Sequence, residues 1–389
     1  MNRLVRSAAG LLTLFLAAQA QAHDSGGYSH DSTPLLENPS WMKYLSGNPK
    51  LSELSLPGTH DTMAYRVTDD VIWAAGGAAA VGAYVAGPML GAVAGIVTNE
   101  IVRDIVQTQS MDLATQLRAG VRVLDIRIGH ANDRFRIHHG PIDLKADFAE
   151  VMETIDAFLD DYPSEAVVMR LKKDHDGGGN TRSFATQLER YMGRYGTNVH
   201  RSSSPVLDPT LQEIRGKILI LDDFPGTSDY APMQYDGLVK QDDYALANNW
   251  DLYGKWLKVK GHFRAANASG VRVNYLSASG GSFPYFVASG HVSPGTDAAR
   301  LATGRTTPGW ADAYPDFPRT ACFFGICTIS FEGTNELTMA LLRRGGIARA
   351  GIVMADFPGF GLLSSIVELN ALNADYLAYY WNGNILRDW

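Results

Sequence analysis

The sequence predicts an α/β fold on a parallel sheet or barrel, and three observations predict it. Short apolar runs rich in β-formers alternate with helical patterns along the chain. Most of those runs are apolar on both parities, as strands covered on two faces are. The 389 residues are 46% hydrophobic and 19% charged, which suits a packed globular core and excludes disorder or a collagen-like chain. Length alone admits two average domains or one barrel-sized domain.

The first 22 residues read as an export leader: Arg3 and Arg6 supply the positive start, residues 10–18 an apolar stretch, and Ala20-Gln21-Ala22 a small-residue cleavage site. A mature chain starting near His23 is expected to be secreted or periplasmic. The formal charge of -7 becomes -9 once those two arginines are removed. No broad positive field then exists to attract nucleic acid or an anionic bilayer, so any phosphate must be held by local groups.

The candidate strands are Glu53 to Leu56, Val121 to Ile128, Phe135 to His138, Ala166 to Leu171, Lys217 to Leu221, Val271 to Tyr275 and Gly351 to Ala355. Between them, Leu144 to Asp161 places Phe148, Val151, Met152, Ile155 and Leu159 at spacings of three and four, an amphipathic helix. Ser183 to Tyr195 reads as a second helix. Asp161-Tyr162-Pro163-Ser164 stops the first and leads into a strand, completing a βαβ-like step. No fixed-period repeat suggests a solenoid.

Two stretches break the rhythm. Val71 to Val97 carries no charge and has Gly87, Gly91 and Gly95 at four-residue spacing, with Pro88 interrupting. It reads as a buried helical hairpin broken near Gly87-Pro88 or as an element that contacts lipid. Cys322 and Cys327 are the two cysteines. In an exported chain the pair reads as a disulfide acting as a local staple, with two buried thiols as the alternative.

Five polar clusters fall at successive strand ends: His60-Asp61, Asp125 with Arg127, His138-His139, Arg170-Leu171-Lys172-Lys173-Asp174, and Asp356. Asp125 and Arg127 are two apart and so share one side of a strand. Taken singly, each is the stuff of turn caps and solvated faces. Together, two histidines, an arginine and several carboxylates without a Cys or Ser nucleophile motif suit general acid-base cleavage of a phosphodiester. Zinc through the same histidines lacks an HExxH-type spacing.

These residues resemble the bacterial phosphatidylinositol-specific phospholipases C and the wider X-domain phospholipase C group. The likeness runs through LPGTHDT at 56–62, LDIR at 124–127, IHHGP at 137–141, LKKD at 171–174, RGKILIL at 215–221 and GIVMADF at 351–357. It implies a distorted, incompletely closed (β/α)8-type TIM barrel of the PLC-like phosphodiesterase kind. One domain would cover residues 23–389, with an apolar insertion at about 65–108 and a Cys-containing insertion at about 290–335.

The resemblance also implies roles. His60 would be the general base on the inositol 2-hydroxyl, oriented by Asp356. His139 would be the general acid for the departing diacylglycerol oxygen, supported by Asp61. Arg127 would hold the phosphate oxygens, with Asp125 orienting its neighbours. Lys172 and Asp242 would bind inositol hydroxyls, and Phe286, beside Tyr285, would stack on the sugar. Calcium-dependent relatives place a carboxylate where Arg127 stands, so a metal-independent reaction without cofactor is expected. The implied partners are a phospholipid membrane interface and the phosphatidylinositol headgroup. One departure bears on the headgroup: Asp222-Asp223-Phe224 follows RGKILIL where the bacterial enzymes carry a basic residue. The competing readings are a glycerophosphodiester or other phospholipid phosphodiesterase on the same barrel, and a non-catalytic lipid-binding relative.

Overall fold

The computed structural model describes residues 26–30, 37–74, 98–265, 269–291, 300–372 and 375–376. The expected leader and nearly all of the apolar stretch 71–97 lie outside the described residues; helix Asp69–Ala74 covers only the start of that stretch. In chain order the strands are β1 (Leu56–Thr59), β2 (Val123–Ala131), β3 (Arg134–His139), β4 (Ile142–Asp147), β5 (Val167–Gly178), β6 (Ile218–Asp223), β7 (Met233–Gln234) and β8 (Val239–Gln241). There follow β9 (Ala245–Leu246), β10 (Arg272–Tyr275), β11 (Ser279–Gly280), β12 (Ala302–Thr306), β13 (Arg319–Phe323), β14 (Ile326–Ser330) and β15 (Ile352–Ala355).

Eight strands pair in parallel in the order β7-β6-β5-β2-β1-β15-β10-β8. The two edges of this path, β7 and β8, are chain neighbours joined only through the short 3-10 helix Tyr235–Gly237. A flat eight-stranded sheet would hold its edges some 30 Å apart at a strand spacing of about 4.8 Å. The sheet therefore curls until its edges meet, yet they do not pair: an incompletely closed barrel, as expected.

Alternation along each strand builds the interior. Leu56, Val123, Val168, Leu219, Val273 and Ile352 fill one apolar cluster with Trp41 and Leu211. Leu124, Ile126, Val167, Met169, Ile218 and Ile220, of opposite parity, pack outward against helices Phe148–Asp161 and Phe184–Tyr195. Two or four residues further along the inward face, the same strands change from apolar to polar: His60, Asp125 and Arg127, Arg170 and Lys172, Asp223, Tyr275 and Asp356. An apolar plug thus underlies a charged layer at the carboxyl ends of the strands, the catalytic end of βα barrels.

The expected elements shift at several boundaries. Residues 51–53 form a 3-10 helix in place of the start of a strand, because the Glu53 carboxylate turns back to accept the Lys50 backbone N–H at 2.9 Å. The expected helix from Leu144 starts at Phe148: residues 142–147 are claimed by β4, antiparallel on β3, and Asp147 caps the helix by accepting the Ala149 N–H at 2.9 Å. The cysteine loop is an antiparallel hairpin. β13 and β14 join β12 in a separate three-stranded sheet, and a disulfide links Cys322 to Cys327 across the turn, as read from the sequence.

Candidate active site

β1 leads directly into the site, with His60 next after its last residue. It lies between β2 and β15, and Gly58 permits that approach: a Cβ there would stand 2.5 Å from Met354 Sδ and 2.9 Å from Val123 Cβ. Past Thr59 the chain turns through Asp61, whose φ of 44° is left-handed. The bend is pinned from several sides. Asp61 N donates to Asp125 Oδ2 at 3.1 Å, Thr62 Oγ1 accepts from Asp125 N at 2.8 Å, and Gln109 Nε2 donates to the His60 carbonyl at 2.8 Å.

Register explains how the second histidine arrives. β1 pairs with β2 only up to Thr59 opposite Leu124. Beyond it the antiparallel β3 takes over, with Ile137 opposite Ile128. Continuing that register brings His139 back down toward Ile126, above the end of β1. One histidine climbs into the site and the other descends into it. His138 points elsewhere, stacking on His175 with ring centroids 4.9 Å apart.

Each catalytic candidate has a carboxylate behind it. His60 Nδ1 lies 2.8 Å from Asp356 Oδ1, and His139 Nδ1 lies 3.1 Å from Asp61 Oδ2. Arg127 joins the two halves: Nη2 reaches His60 Nε2 at 2.7 Å and Asp125 Oδ2 at 3.0 Å, while Nη1 is 3.2 Å from Asp61 Oδ2. A guanidinium only donates, so in this contact His60 Nε2 presents its lone pair and the ring proton sits on Nδ1 toward Asp356. Asp125 lies beneath, shared between Arg127 and Arg170 Nη1, the latter at 3.1 Å.

The electrostatics follow from burial and these partners. Burial disfavours the charged imidazolium of His60, but Asp356 more than offsets it and raises the pKa above the ordinary imidazole value. Burial likewise works to raise Asp125, yet the two guanidiniums hold it far below the usual carboxylate range. Asp356 is raised, because its burial outweighs the pull of His60.

The cavity above this layer measures about 360 Å³, and His60, Arg127, His139, Lys172, Asp242 and Asp356 all line it. Asp61 and Asp125 support it from behind. Lys172 Nζ binds Asp174 Oδ1 at 2.6 Å, and the other Asp174 oxygen accepts the Gly140 N–H at 2.6 Å, tying the lysine to the His139 turn. Phe286 is a correction. It lies in helix Pro284–Ser289, 2% exposed, with its ring edge-on to Phe331 in the core. That short helix turns Pro284 to the cavity and Phe286 away, so no sugar can stack on it. The aromatic side chains at the cavity are Tyr275, edge-on to His60, and Tyr244.

Arg170, a strand-end cation to which the sequence assigns no role, belongs to the charged layer of the site. It lines the cavity, gives Nε to Asp223 at 2.8 Å and Nη1 to Tyr275 Oη at 3.2 Å, and lies over the Tyr235 ring. Strand parity was a usable signal, since Arg170 stands two residues before Lys172. Asp223, which departs from the resembled pattern, shares the Arg170 charge with Asp125.

Residues 99–223 match the family model described as "Phosphatidylinositol-specific phospholipase C, X domain". A 1-phosphatidylinositol phosphodiesterase of Listeria monocytogenes is 34% identical over 181 residues, 46% of this chain and 47% of that protein, so the alignment spans about half of that relative. A Staphylococcus aureus protein of the same description is 28% identical over 326 residues, covering 74% of this chain and 92% of its own length. Among solved structures, phosphatidylinositol-specific phospholipase C from Listeria monocytogenes superposes with a TM-score of 0.56 at 24% identity, over 87% of this chain and 100% of that one. At that identity the superposition speaks for the shared barrel.

Proposed function

We propose that this chain, whose residues 99–223 match the X-domain model of the phosphatidylinositol-specific phospholipases C, cleaves phosphatidylinositol-type lipids to diacylglycerol and an inositol cyclic phosphate. The observation that carries the reading is the arrangement of two imidazoles, each backed by its own carboxylate, on either side of one guanidinium at a cavity mouth. His60 Nε2 takes the proton of the inositol 2-hydroxyl, whose oxygen attacks phosphorus. The bond from phosphorus to the diacylglycerol oxygen breaks, and protonated His139 gives that oxygen its proton. Arg127 stabilises the charge that grows on the phosphate oxygens, a contribution that commonly dominates such rates. As the phosphate draws the guanidinium, the lone pair of His60 is released for the hydroxyl.

The proposed reaction needs no metal, because Arg127 brings positive charge to the place where a divalent ion would act, and a cation beside it would be repelled. Export to the periplasm or beyond accords with the leader-like first 22 residues and with the disulfide. The deciding experiment is hydrolysis of a short-chain, water-soluble phosphatidylinositol with EDTA present. Cyclic inositol phosphate released at an undiminished rate supports the whole reading. Calcium-dependent turnover would overturn the metal-free mechanism, and preference for a glycerophosphodiester would move the substrate, a shift that Asp223 on Arg170 makes worth measuring.

A further inference from the structure

We infer that the disulfide-closed tip of the β13–β14 hairpin inserts into a lipid bilayer beside the catalytic mouth. The tip reads Cys322-Phe323-Phe324-Gly325-Ile326-Cys327. Phe324 is 91% exposed, Phe323 73% and Ile326 53%, the largest continuous run of exposed apolar side chains among the described residues. Phe324 and Gly325 occupy the centre of the turn with φ of 46° and 79°. A tight hairpin turn of that conformation favours Asn or Asp before the glycine. A phenylalanine in its place gives up backbone preference and solubility together, which points to a partner outside the fold.

The chemistry of that partner follows from area, charge and continuity. Two Phe side chains and one Ile offer on the order of 400 Å² on a convex point. A stable protein–protein contact takes about 800 Å² from each side. An insertion into lipid needs no matching concave surface. Residues 317–331 hold a single charged side chain, Arg319, and no carboxylate, in a chain whose net charge is -7. Arg319 itself is tied down by the carbonyls of Ala311, Tyr314 and Phe317 at 2.9, 2.9 and 2.7 Å. Nothing ionised therefore has to leave water at the tip.

Behind the tip, the exposed side chains become amphipathic. Thr307 and Cys327 exchange two hydrogen bonds, which seats the Trp310 loop against the disulfide end. The Arg305 guanidinium lies 4.0 Å over the Trp310 ring and 5.8 Å from that of Trp250. Trp250 stands six residues after Tyr244, which lines the catalytic cavity. Phe at the tip with Trp, Tyr and Arg behind it is the order of depth that hydrocarbon, headgroup layer and water select. Trp250 packs against Phe331, the residue after β14 of the hairpin, with ring centroids 5.4 Å apart, and six residues of chain tie it to Tyr244 at the cavity, so insertion of the tip would draw the cavity rim toward the headgroups. The purpose of the device rests on the lipid-cleaving reading above; the binding itself does not.

The test is sedimentation of the full mature chain with phosphatidylcholine vesicles, at low and high salt. Wild type should bind equally at both, because apolar insertion is not screened. Phe323→Ser/Phe324→Ser should lower the partition coefficient at least about tenfold, while hydrolysis of the water-soluble substrate and the melting curve stay as in wild type. Phe324→Trp should keep binding and add fluorescence that brominated acyl chains quench. Unchanged partition of the double serine variant, or no added quenching in Phe324→Trp, would overturn the inference. So would wild-type self-association that the double variant abolishes, which would assign the tip to a second copy. Failure to cleave the soluble substrate would remove the proposed function and leave the binding result standing.

Discussion

Strand β2 and the residue before it hold two arginines five positions apart, Arg122 buried and Arg127 partly exposed at the cavity, and their surroundings differ in one further respect. Arg122, at the closed end of the barrel, is 0% exposed and pairs with Glu165, also 0%. Its five N–H groups are all spent: Nε and Nη2 on Glu165 at 3.0 and 2.7 Å, Nη1 on the carbonyls of Leu117 and Val121, and Nη2 again on that of Pro39. Glu165 accepts in turn from Met42 N and Ser164 Oγ. Arg127, at the open end, also has carboxylates on two sides, but its neighbourhood is unfinished. Asp61 Oδ2, His139 Nδ1 and Asp356 Oδ2 are buried there without a well-directed hydrogen bond. A saturated ion pair locks a fold, whereas one that leaves buried acceptors and a ring nitrogen unsatisfied next to a cavity is equipped to rearrange around a ligand.

The comparison breaks most visibly at the histidines. His60→Ala and His139→Ala should each cost about 10²- to 10⁴-fold in kcat while the circular-dichroism spectrum and melting curve stay intact. A variant within about threefold of wild type would remove that residue from the acid-base pair.

The arginines should fail in opposite ways. Arg122→Ala leaves the Glu165 carboxylate buried and unpaired, a loss of about 3–5 kcal/mol of stability, read by urea denaturation, with activity per folded molecule preserved. Arg127→Lys should fold normally and lose about 10²- to 10³-fold in kcat, since an ammonium lacks the planar fork that spans His60, Asp125 and a phosphate. Equal losses of stability in both would erase the distinction.

The smallest effect is the pH profile. His60 must be neutral to act as a base, and its pKa is raised, so kcat/KM should climb with pH through a limb above the ordinary imidazole value. Asp356→Asn leaves burial and Arg127 to act on the ring and should move that limb to lower pH, with kcat reduced throughout. The stability contribution runs the other way: it is full below the unfolded-state pKa and lost as pH rises through the folded one. A limb unmoved by Asp356→Asn would assign it to another group.

Much of the site was legible because strand chemistry is periodic. Alternation put Asp125 and Arg127 on one face, and the short runs ending in His60, His139, Lys172 and Asp356 are local patterns that any parallel barrel brings to one end. Asp242 also lines the cavity. Phe286 was misplaced because six residues of helix can face either way until a neighbour is fixed, and Phe331, 45 positions on, decides it. Arg170 was visible as a cation at a strand end but not as a member of the charged layer, since its partners Asp125, Asp223 and Tyr275 come from three other strands.

The amino-acid sequence by itself determined the parallel strands, the amphipathic helices and the residue types of the charged layer, for these depend on periodicity, turn chemistry and the bonding capacity of single side chains. Only the tertiary structure decided that β3 turns back to lower His139 over His60, that β4 takes the first turn of the expected helix, and that the cysteines close an exposed hairpin of phenylalanines. Each of those outcomes is set by register between distant strands, and register is a property of pairs of segments that no single segment carries.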